Sequence, residues 1–162
     1  DHRESRGLGD VYKRQADGQT AHNTFVDNLR YACALAENHD ITILIEPLNS
    51  YDAPGYFLKT TDQAIAIIEK VGAPNLKLMF DCYHVQLMEG DLSNKLKILL
   101  DRIGHIQFAG VPNRGPPDQG EVNYKYVFNV IKALGYARPL GAEYKPHGPT
   151  SQTLGWLKSL RE

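Results

Sequence analysis

Hydrophobic positions recur along this chain with two different periods, one typical of helices and one typical of buried strands. Apolar residues between Phe25 and Ala36 recur at helical intervals, which predicts an amphipathic helix over residues 19–38. Residues 41–45 form a β-branched apolar run that is too short for a helix, so they predict a buried strand. The two patterns then alternate to the end of the chain.

The remaining elements are predicted from the same signals. Residues 60–63 (TTDQ) match a capping box and precede an apolar run, which predicts a helix that ends at Gly72 and Pro74. Further strands are predicted at 76–80, 103–107 and 138–143, and further helices at about 92–101, 124–134 and 151–160.

One helix followed by four strand–helix units predicts a parallel sheet covered by helices. Four units make half of a (β/α)8 barrel, which takes about 250 residues in full. A separate four-stranded flavodoxin-like sheet is the competing architecture. It would have a glycine-rich phosphate turn after the first strand, and residues 46–49 (EPLN) are not such a turn.

The first residues do not fit this regular pattern. Residues 1–15 mix glycine with alternating charges and show no apolar period, so we expect them to be extraneous or disordered. Residues 16–162 are then expected to be one partial barrel domain.

The composition excludes several classes of protein. Hydrophobic residues make up 42% and charged residues 23%, as in ordinary globular domains. With a net charge of -1 and no basic tract, no nucleic-acid partner is expected, and no apolar run approaches the roughly 20 residues of a membrane span. Cys33 and Cys82 have no CxxC spacing, which favours a reducing compartment and a cytoplasmic location.

A metal-competent side chain follows or ends each predicted strand. These side chains are Glu46, Asp81, Gln107 and Glu143. Parallel strands of a barrel end on one face, so the four are expected to converge there. Three adjacent carboxylates repel one another unless a cation or protons neutralise them, and oxygen donors select Mg²⁺ or Mn²⁺. The pattern therefore predicts a divalent metal site.

Three further residues are candidates for roles around this site. His84 follows Asp81 by three residues and is expected in a loop above the site, where it could reach a substrate oxygen. Arg114 is a candidate clamp for a substrate carboxylate, because a guanidinium binds carboxylates bidentately. His105 is expected on the same strand face as Gln107, as a buried neighbour.

Five segments of the chain are distinctive: IEPLN (45–49), FDCYHVQ (80–86), GHIQ (104–107), PNRGPPDQGEVNY (112–124) and GAEYKP (141–146). Together they resemble the hydroxypyruvate isomerase family of xylose isomerase-like barrels. The resemblance implies that the four strands are the fifth to eighth of the barrel, its C-terminal half. It also implies that Glu46, Asp81, Gln107 and Glu143 hold the metal and that Glu46 and Glu143 act as acid and base.

The expected function is isomerisation of hydroxypyruvate to 2-hydroxy-3-oxopropanoate, with a small hydroxy or oxo acid as substrate and no organic cofactor. A 2-oxo-tetronate isomerase or a ketose 3-epimerase of the same superfamily is the alternative, although epimerases usually carry His in place of Gln107. An alternative of another class is an inactive metal-binding remnant. An open half-barrel would leave an unpaired strand edge, so self-association into a homo-oligomer is also expected.

Overall fold

The computed structural model describes residues 18–160, and the segment 1–15 that was predicted to be extraneous lies outside the described residues. In chain order the elements are α1 (Gly18–Glu37), β1 (Ile43–Ile45), α2 (Thr61–Val71), β2 (Leu76–Asp81), α3 (Cys82–Met88), α4 (Leu92–Leu99), β3 (Ile103–Phe108), α5 (Tyr124–Ala133), β4 (Leu140–Ala142) and α6 (Trp156–Ser159). Short 3₁₀ turns occupy Leu100–Arg102 and Thr150–Gln152.

The strands form a parallel four-stranded sheet in the order β1-β2-β3-β4. In β1 and β2, Ile45 is in register with Leu78, and in β3 and β4, Gln107 is in register with Gly141. This arrangement confirms the predicted α/β class with strands and helices in alternation. The described residues form two compact units, one that ends at Leu78 and one that begins at Met79, with the boundary inside β2.

In the first unit, α1 packs against α2 and β1 through the apolar face that the sequence predicts. Two hydrogen bonds hold the neighbouring loop, because the Asn75 side chain donates to the carbonyl oxygens of Cys33 and Ile41. Arg30 donates to the carbonyl oxygen of Lys70 at the end of α2. The strand that was predicted at 41–45 is therefore held at its start, and pairing with β2 begins at Ile43.

Helix α2 begins with the predicted cap. The Thr60 hydroxyl accepts a hydrogen bond from the backbone N–H of Gln63 at 3.2 Å. The Gln63 side chain accepts in turn from the backbone N–H of Lys59 at 2.9 Å, one residue before the position that a capping box uses. The helix ends at Gly72, whose φ of 73° lies in the left-handed region that glycine adopts without strain.

In the second unit, aromatic side chains fill the space between β3 and the helices that follow it. Phe108 stacks edge-on against Phe128 and Trp156, and its ring centroid lies 5.6 Å from that of Tyr124. Helix α3 packs against β3 and α4, and α4 packs against α5. Ile106 and Phe108 are buried on the face of β3 that packs against the helices. Because side chains alternate along a strand, His105 and Gln107 lie on the opposite face.

Two predicted elements are wrong in detail. The helix expected over 151–160 is replaced by the 3₁₀ turn Thr150–Gln152 and the four-residue helix α6. The Thr153 hydroxyl donates to the carbonyl oxygen of Thr150, which closes the turn locally. The strand expected at 138–143 is shorter, because Pro139 has no N–H for the ladder and pairing begins at Leu140.

Helix α3 is absent from the sequence prediction. It begins directly after β2, since Asp81 is both the last strand residue and the helix N-cap. With no turn residues between strand and helix, the sequence carries no punctuation at this boundary. None of the described helices combines the length and the apolar character that crossing a membrane requires.

We predict that Thr60→Ala lowers the free energy of unfolding by about 1 kcal/mol, because it removes the acceptor that caps α2. Urea denaturation followed by circular dichroism measures this change. Thr24→Ala is the matched control, because the Thr24 hydroxyl only returns to the carbonyl oxygen of Thr20 within α1. The control is expected to change stability by less than about 0.5 kcal/mol, and equal losses in both variants would contradict the capping role.

We also predict that neither cysteine reacts with a thiol reagent in the native protein. Cys33 and Cys82 are both buried. Burial raises the pKa of both thiols, and for Cys82 the negative charge of Asp81 raises it further, so the reactive thiolate is scarce. Titration with Ellman's reagent at about pH 8 should release no thiolate colour from the folded chain and two equivalents after unfolding in guanidinium. Rapid native reaction would contradict this burial.

Candidate active site

Asp81 is the most buried carboxylate of the described site, with 1% of its surface exposed. Its Oδ1 accepts a hydrogen bond from the backbone N–H of Tyr83 at 2.9 Å, which caps α3. Its Oδ2 lies 3.7 Å from His84 Nε2 and 3.8 Å from Arg114 Nη2. One oxygen therefore serves the fold, and the other faces two nitrogen-bearing side chains.

Arg114 joins two of the predicted ligands. Its Nη2 donates to Glu143 Oε2 at 2.5 Å and also lies near Asp81 Oδ2. The side chain of Glu143 is 53% exposed, whereas that of Arg114 is 18% exposed. The shared nitrogen holds both carboxylates close to one positive charge, which offsets their mutual repulsion. Arg114 does hold a carboxylate, but in this structure it is that of Glu143, and its contact with a substrate stays a prediction.

The backbone and a neighbouring ring fix the position of Arg114. Its φ of 53° places it in the left-handed region, and its carbonyl oxygen accepts from the backbone N–H of Lys145 at 2.7 Å. The guanidinium carbon lies 5.1 Å from the ring centroid of Tyr83, within the range of a cation–π contact. The Tyr83 hydroxyl donates to the carbonyl oxygen of Pro112 at 3.4 Å. Sequence reasoning missed Tyr83. It lies two residues after Asp81, in the first turn of α3, and that helix was not predicted.

Gln107 lies on β3 with its side chain on the face that the helices do not cover. Its Oε1 is buried and makes no hydrogen bond to any residue that the structure describes. A buried amide oxygen without a partner is costly, and such an atom is commonly a ligand for an ion or an ordered water. His105 lies on the same face, as predicted from the period of two.

His84 lies elsewhere than predicted. It is not in a loop above the site but inside α3, where only 2% of its surface is exposed. The helix begins at Cys82, so the side chain returns toward Asp81 instead of projecting outward. An imidazole nitrogen therefore stands beside a donor set that the sequence indicated to be oxygen alone.

Two buried neighbours of Asp81 remain uncharged. Burial raises the pKa of Cys82, and the Asp81 carboxylate raises it further. Burial also raises the pKa of Tyr124, with smaller contributions from Cys82 and Asp81, and its hydroxyl donates to the carbonyl oxygen of Ala109 at 2.7 Å. The charged groups around Asp81 in the second unit are therefore Asp81 itself, Glu143 and Arg114. His84 adds a positive charge only when it is protonated.

Glu46 belongs to the first unit. It directly follows β1, is partly buried, and precedes Pro47. The second unit brings Asp81, His84, Arg114 and Glu143 into one cluster, with Gln107 on the strand between β2 and β4. Carboxylates, an amide oxygen and an imidazole at the carboxyl ends of parallel strands can bind a divalent cation and can transfer protons.

The chain resembles proteins of known activity over most of its length. A 2-oxo-tetronate isomerase of Cupriavidus necator is 51% identical over 143 residues, which are 88% of this chain and 55% of that protein. A hydroxypyruvate isomerase of Escherichia coli is 46% identical over 140 residues, which are 86% of this chain and 54% of that protein. The chain therefore spans about half the length of these curated relatives.

Solved structures share the fold. The crystal structure of an AP endonuclease, family 2, from Brucella melitensis superposes with a TM-score of 0.86 at 38% identity, covering 91% of this chain and 57% of that one. A 3-keto-D-glucoside 4-epimerase from Escherichia coli superposes with a TM-score of 0.80 over 96% of this chain and 58% of that one, and its 21% identity supports the fold alone.

The family described as xylose isomerase-like TIM barrel matches residues 7–160. That match agrees with the parallel strand–helix units and with the relatives above, and it confirms the resemblance that the sequence motifs indicate. This chain belongs to the xylose isomerase-like TIM barrel family.

Proposed function

We propose that this chain carries the metal-binding and proton-transfer residues of an isomerase that interconverts hydroxypyruvate and 2-hydroxy-3-oxopropanoate. The observation that carries the proposal is the meeting of Asp81 and Glu143 at one nitrogen of Arg114, at the carboxyl ends of parallel strands. The hydroxypyruvate isomerase of Escherichia coli, 46% identical, supports the same reaction class.

In this proposal Glu46, Asp81, Gln107 and Glu143 hold one Mg²⁺ or Mn²⁺. The fit rests on the donor set, which is rich in hard oxygens, and on the buried Oε1 of Gln107, which has no hydrogen-bond partner among the described residues. Glu46 is included because it follows β1 just as the other donors end or follow their strands. When bound, the ion polarises the substrate ketone and stabilises the negative charge that develops on its oxygen.

The two glutamates move the proton. Glu143 takes a proton from the hydroxymethyl carbon, so that this C–H bond breaks and an enediolate forms. That proton is passed from Glu143 to Glu46, which delivers it to the former ketone carbon, while the hydroxyl proton passes from one substrate oxygen to the other. Both glutamates are therefore ionised before and after the turnover. The hydroxymethyl group is thereby oxidised to the aldehyde and the ketone is reduced to the alcohol, with no external redox partner.

Arg114 and His84 bind the substrate in this proposal. The guanidinium has five N–H donors, so it can contact a substrate carboxylate while it keeps Glu143 oriented. His84 Nε2 lies beside Asp81 at the buried end of the cluster, where it can donate to a substrate oxygen. The negatively charged 2-oxo acids suit this cationic side of the site better than neutral ketoses do.

A 2-oxo-tetronate isomerase is the second candidate, because the relative with that name from Cupriavidus necator is 51% identical. Its substrate has one more carbon than hydroxypyruvate but offers the same 2-oxo acid group. The Arg114 clamp and the glutamate pair would act on both substrates in the same way, so the choice depends on the space beyond the reacting carbons.

We predict that the chain binds Mn²⁺ and that Asp81→Asn and Glu143→Gln each weaken the affinity by at least about tenfold. Asparagine is as good an N-cap as aspartate, so Asp81→Asn keeps α3 and removes mainly the charge. Electron paramagnetic resonance of free Mn²⁺ measures the affinity. Glu37→Gln, at the exposed end of α1, is the charge-matched control and should bind like the wild type. Equal affinity in all four proteins would count against the ligand assignment.

We predict further that Glu143→Gln lowers kcat by about 10²- to 10⁴-fold, the usual contribution of a general base. Because the chain spans about half of its relatives, the assay uses the chain and a chimera in which it replaces the matching half of the Escherichia coli hydroxypyruvate isomerase. Hydroxypyruvate, a 2-oxo-tetronate and a ketohexose are compared as substrates.

Glu37→Gln in the same chimera is the control and should keep full turnover. Wild-type turnover in the Glu143→Gln chimera would refute the assignment of the base. Mn²⁺ binding by a folded chimera that turns over none of the three substrates would identify the chain as an inactive metal-binding remnant. A preference for the four-carbon acid would favour the second candidate.

A further inference from the structure

Gly141 on β4 lies directly beside Gln107 on β3, in register with it. Side chains of registered residues point to the same face of a sheet, so a side chain at position 141 would lie on the face that carries His105 and Gln107. The backbone of Gly141 is not in the left-handed region, because its φ is outside the range that disfavours side chains. Glycine is therefore not required here for its conformational freedom.

The space beside Gly141 is already occupied. A Cβ at this position would lie 2.8 Å from His105 Nε2 and 3.3 Å from Gln107 Cγ. The first distance is shorter than a van der Waals contact, and the second requires Gln107 to shift by a few tenths of an ångström. Both atoms belong to side chains rather than to backbone, so an alanine could be accommodated only if these two side chains move.

We propose that Gly141 is a positioning residue: the space left by its missing side chain lets His105 lie across β4 and thereby sets the place of the Gln107 amide. The inference rests on the proposed function, in which Gln107 Oε1 is a metal ligand. That oxygen is buried and makes no hydrogen bond to another described residue, and the space beside Gly141 that the Gln107 side chain shares with the His105 ring is therefore the constraint on its position that the structure shows.

The consequence is a change in geometry at little cost to the fold. Metal ligands have to lie within about 0.2 Å of their preferred distances, and functional groups within about 0.5 Å of their working positions. A Cβ at position 141 requires Gln107 to shift by a few tenths of an ångström. The fold tolerates a shift of this size, but the distance between a metal ion and its ligand does not. His105 acts only through its ring volume, so removing the ring should relieve the crowding.

The test compares Gly141→Ala, His105→Ala and the double variant with the wild-type chain. Mn²⁺ affinity is measured by electron paramagnetic resonance. The Gln107 side-chain amide signal is followed by NMR in the metal-free protein, and its assignment is fixed by its loss in Gln107→Glu. Gly155→Ala is the matched control, because a Cβ there meets no atom within 4 Å and its φ is not positive.

We expect Gly141→Ala to shift the amide signal and to weaken Mn²⁺ binding by about tenfold or more, with a melting temperature close to that of Gly155→Ala. The double variant should bind Mn²⁺ almost as tightly as His105→Ala does, because the His105 ring is then no longer there to crowd the alanine at position 141. A purely structural role would lower the melting temperature of Gly141→Ala and would not be rescued by the loss of the His105 ring.

Unchanged affinity and an unmoved amide signal in Gly141→Ala would overturn the inference, as would a double variant that binds no better than Gly141→Ala. If the wild-type chain binds no Mn²⁺, the proposed function fails. The amide signal then still decides the inference, because a shift in Gly141→Ala that is reversed in the double variant supports it and an unmoved signal refutes it.

Discussion

The site depends on a single positive group that two carboxylates share. Parallel strands place acidic residues at the same edge of a sheet, and carboxylates held close together repel one another unless a cation or protons neutralise them. In the second unit that cation is the guanidinium of Arg114, between Asp81 and Glu143. The left-handed backbone of Arg114, its bond to Lys145 and the ring of Tyr83 hold it there.

Asp81 connects this charge balance to the fold. Because β2 continues into α3 without a loop, the same carboxylate ends the strand, caps the helix and faces the cationic side chains. Its two oxygens divide these tasks between them. A change that removes the carboxylate altogether would therefore disturb the helix and the site together, whereas an amide would separate the two effects.

The strands were predictable from sequence because they combine two local signals, a short run of apolar residues and the polar residue at or just after its end. The helix α3 was not, since Asp81 and Cys82 join strand to helix with no glycine or proline between them. His84 was misplaced for the same reason. A residue assigned to a loop is expected to project outward, but in a helix that starts at Cys82 it turns back toward the strand end.

Contacts between residues far apart in sequence were beyond the local patterns. Nothing near Tyr83 indicates that its ring would lie under Arg114, and nothing near Gly141 indicates that His105 would fill the space beside it. The second contact arises from the register of β3 and β4, and the first arises because the loop after β3 brings Arg114 to the start of α3. Residue types at strand ends therefore predict which groups could form the site, and the sheet decides how they are held.

The charges of the proposed site favour a divalent ion and an acidic substrate together. Glu46, Asp81 and Glu143 would carry three negative charges against one on Arg114, so a doubly charged cation brings the set to neutrality. Gln107 adds an oxygen without adding charge. A substrate carboxylate then brings one further negative charge to Arg114, which already holds Glu143 through Nη2. Because a guanidinium can bind two carboxylates at once, Arg114 would align the base with the substrate, and the same attraction that offsets the repulsion between Asp81 and Glu143 would also orient the reaction.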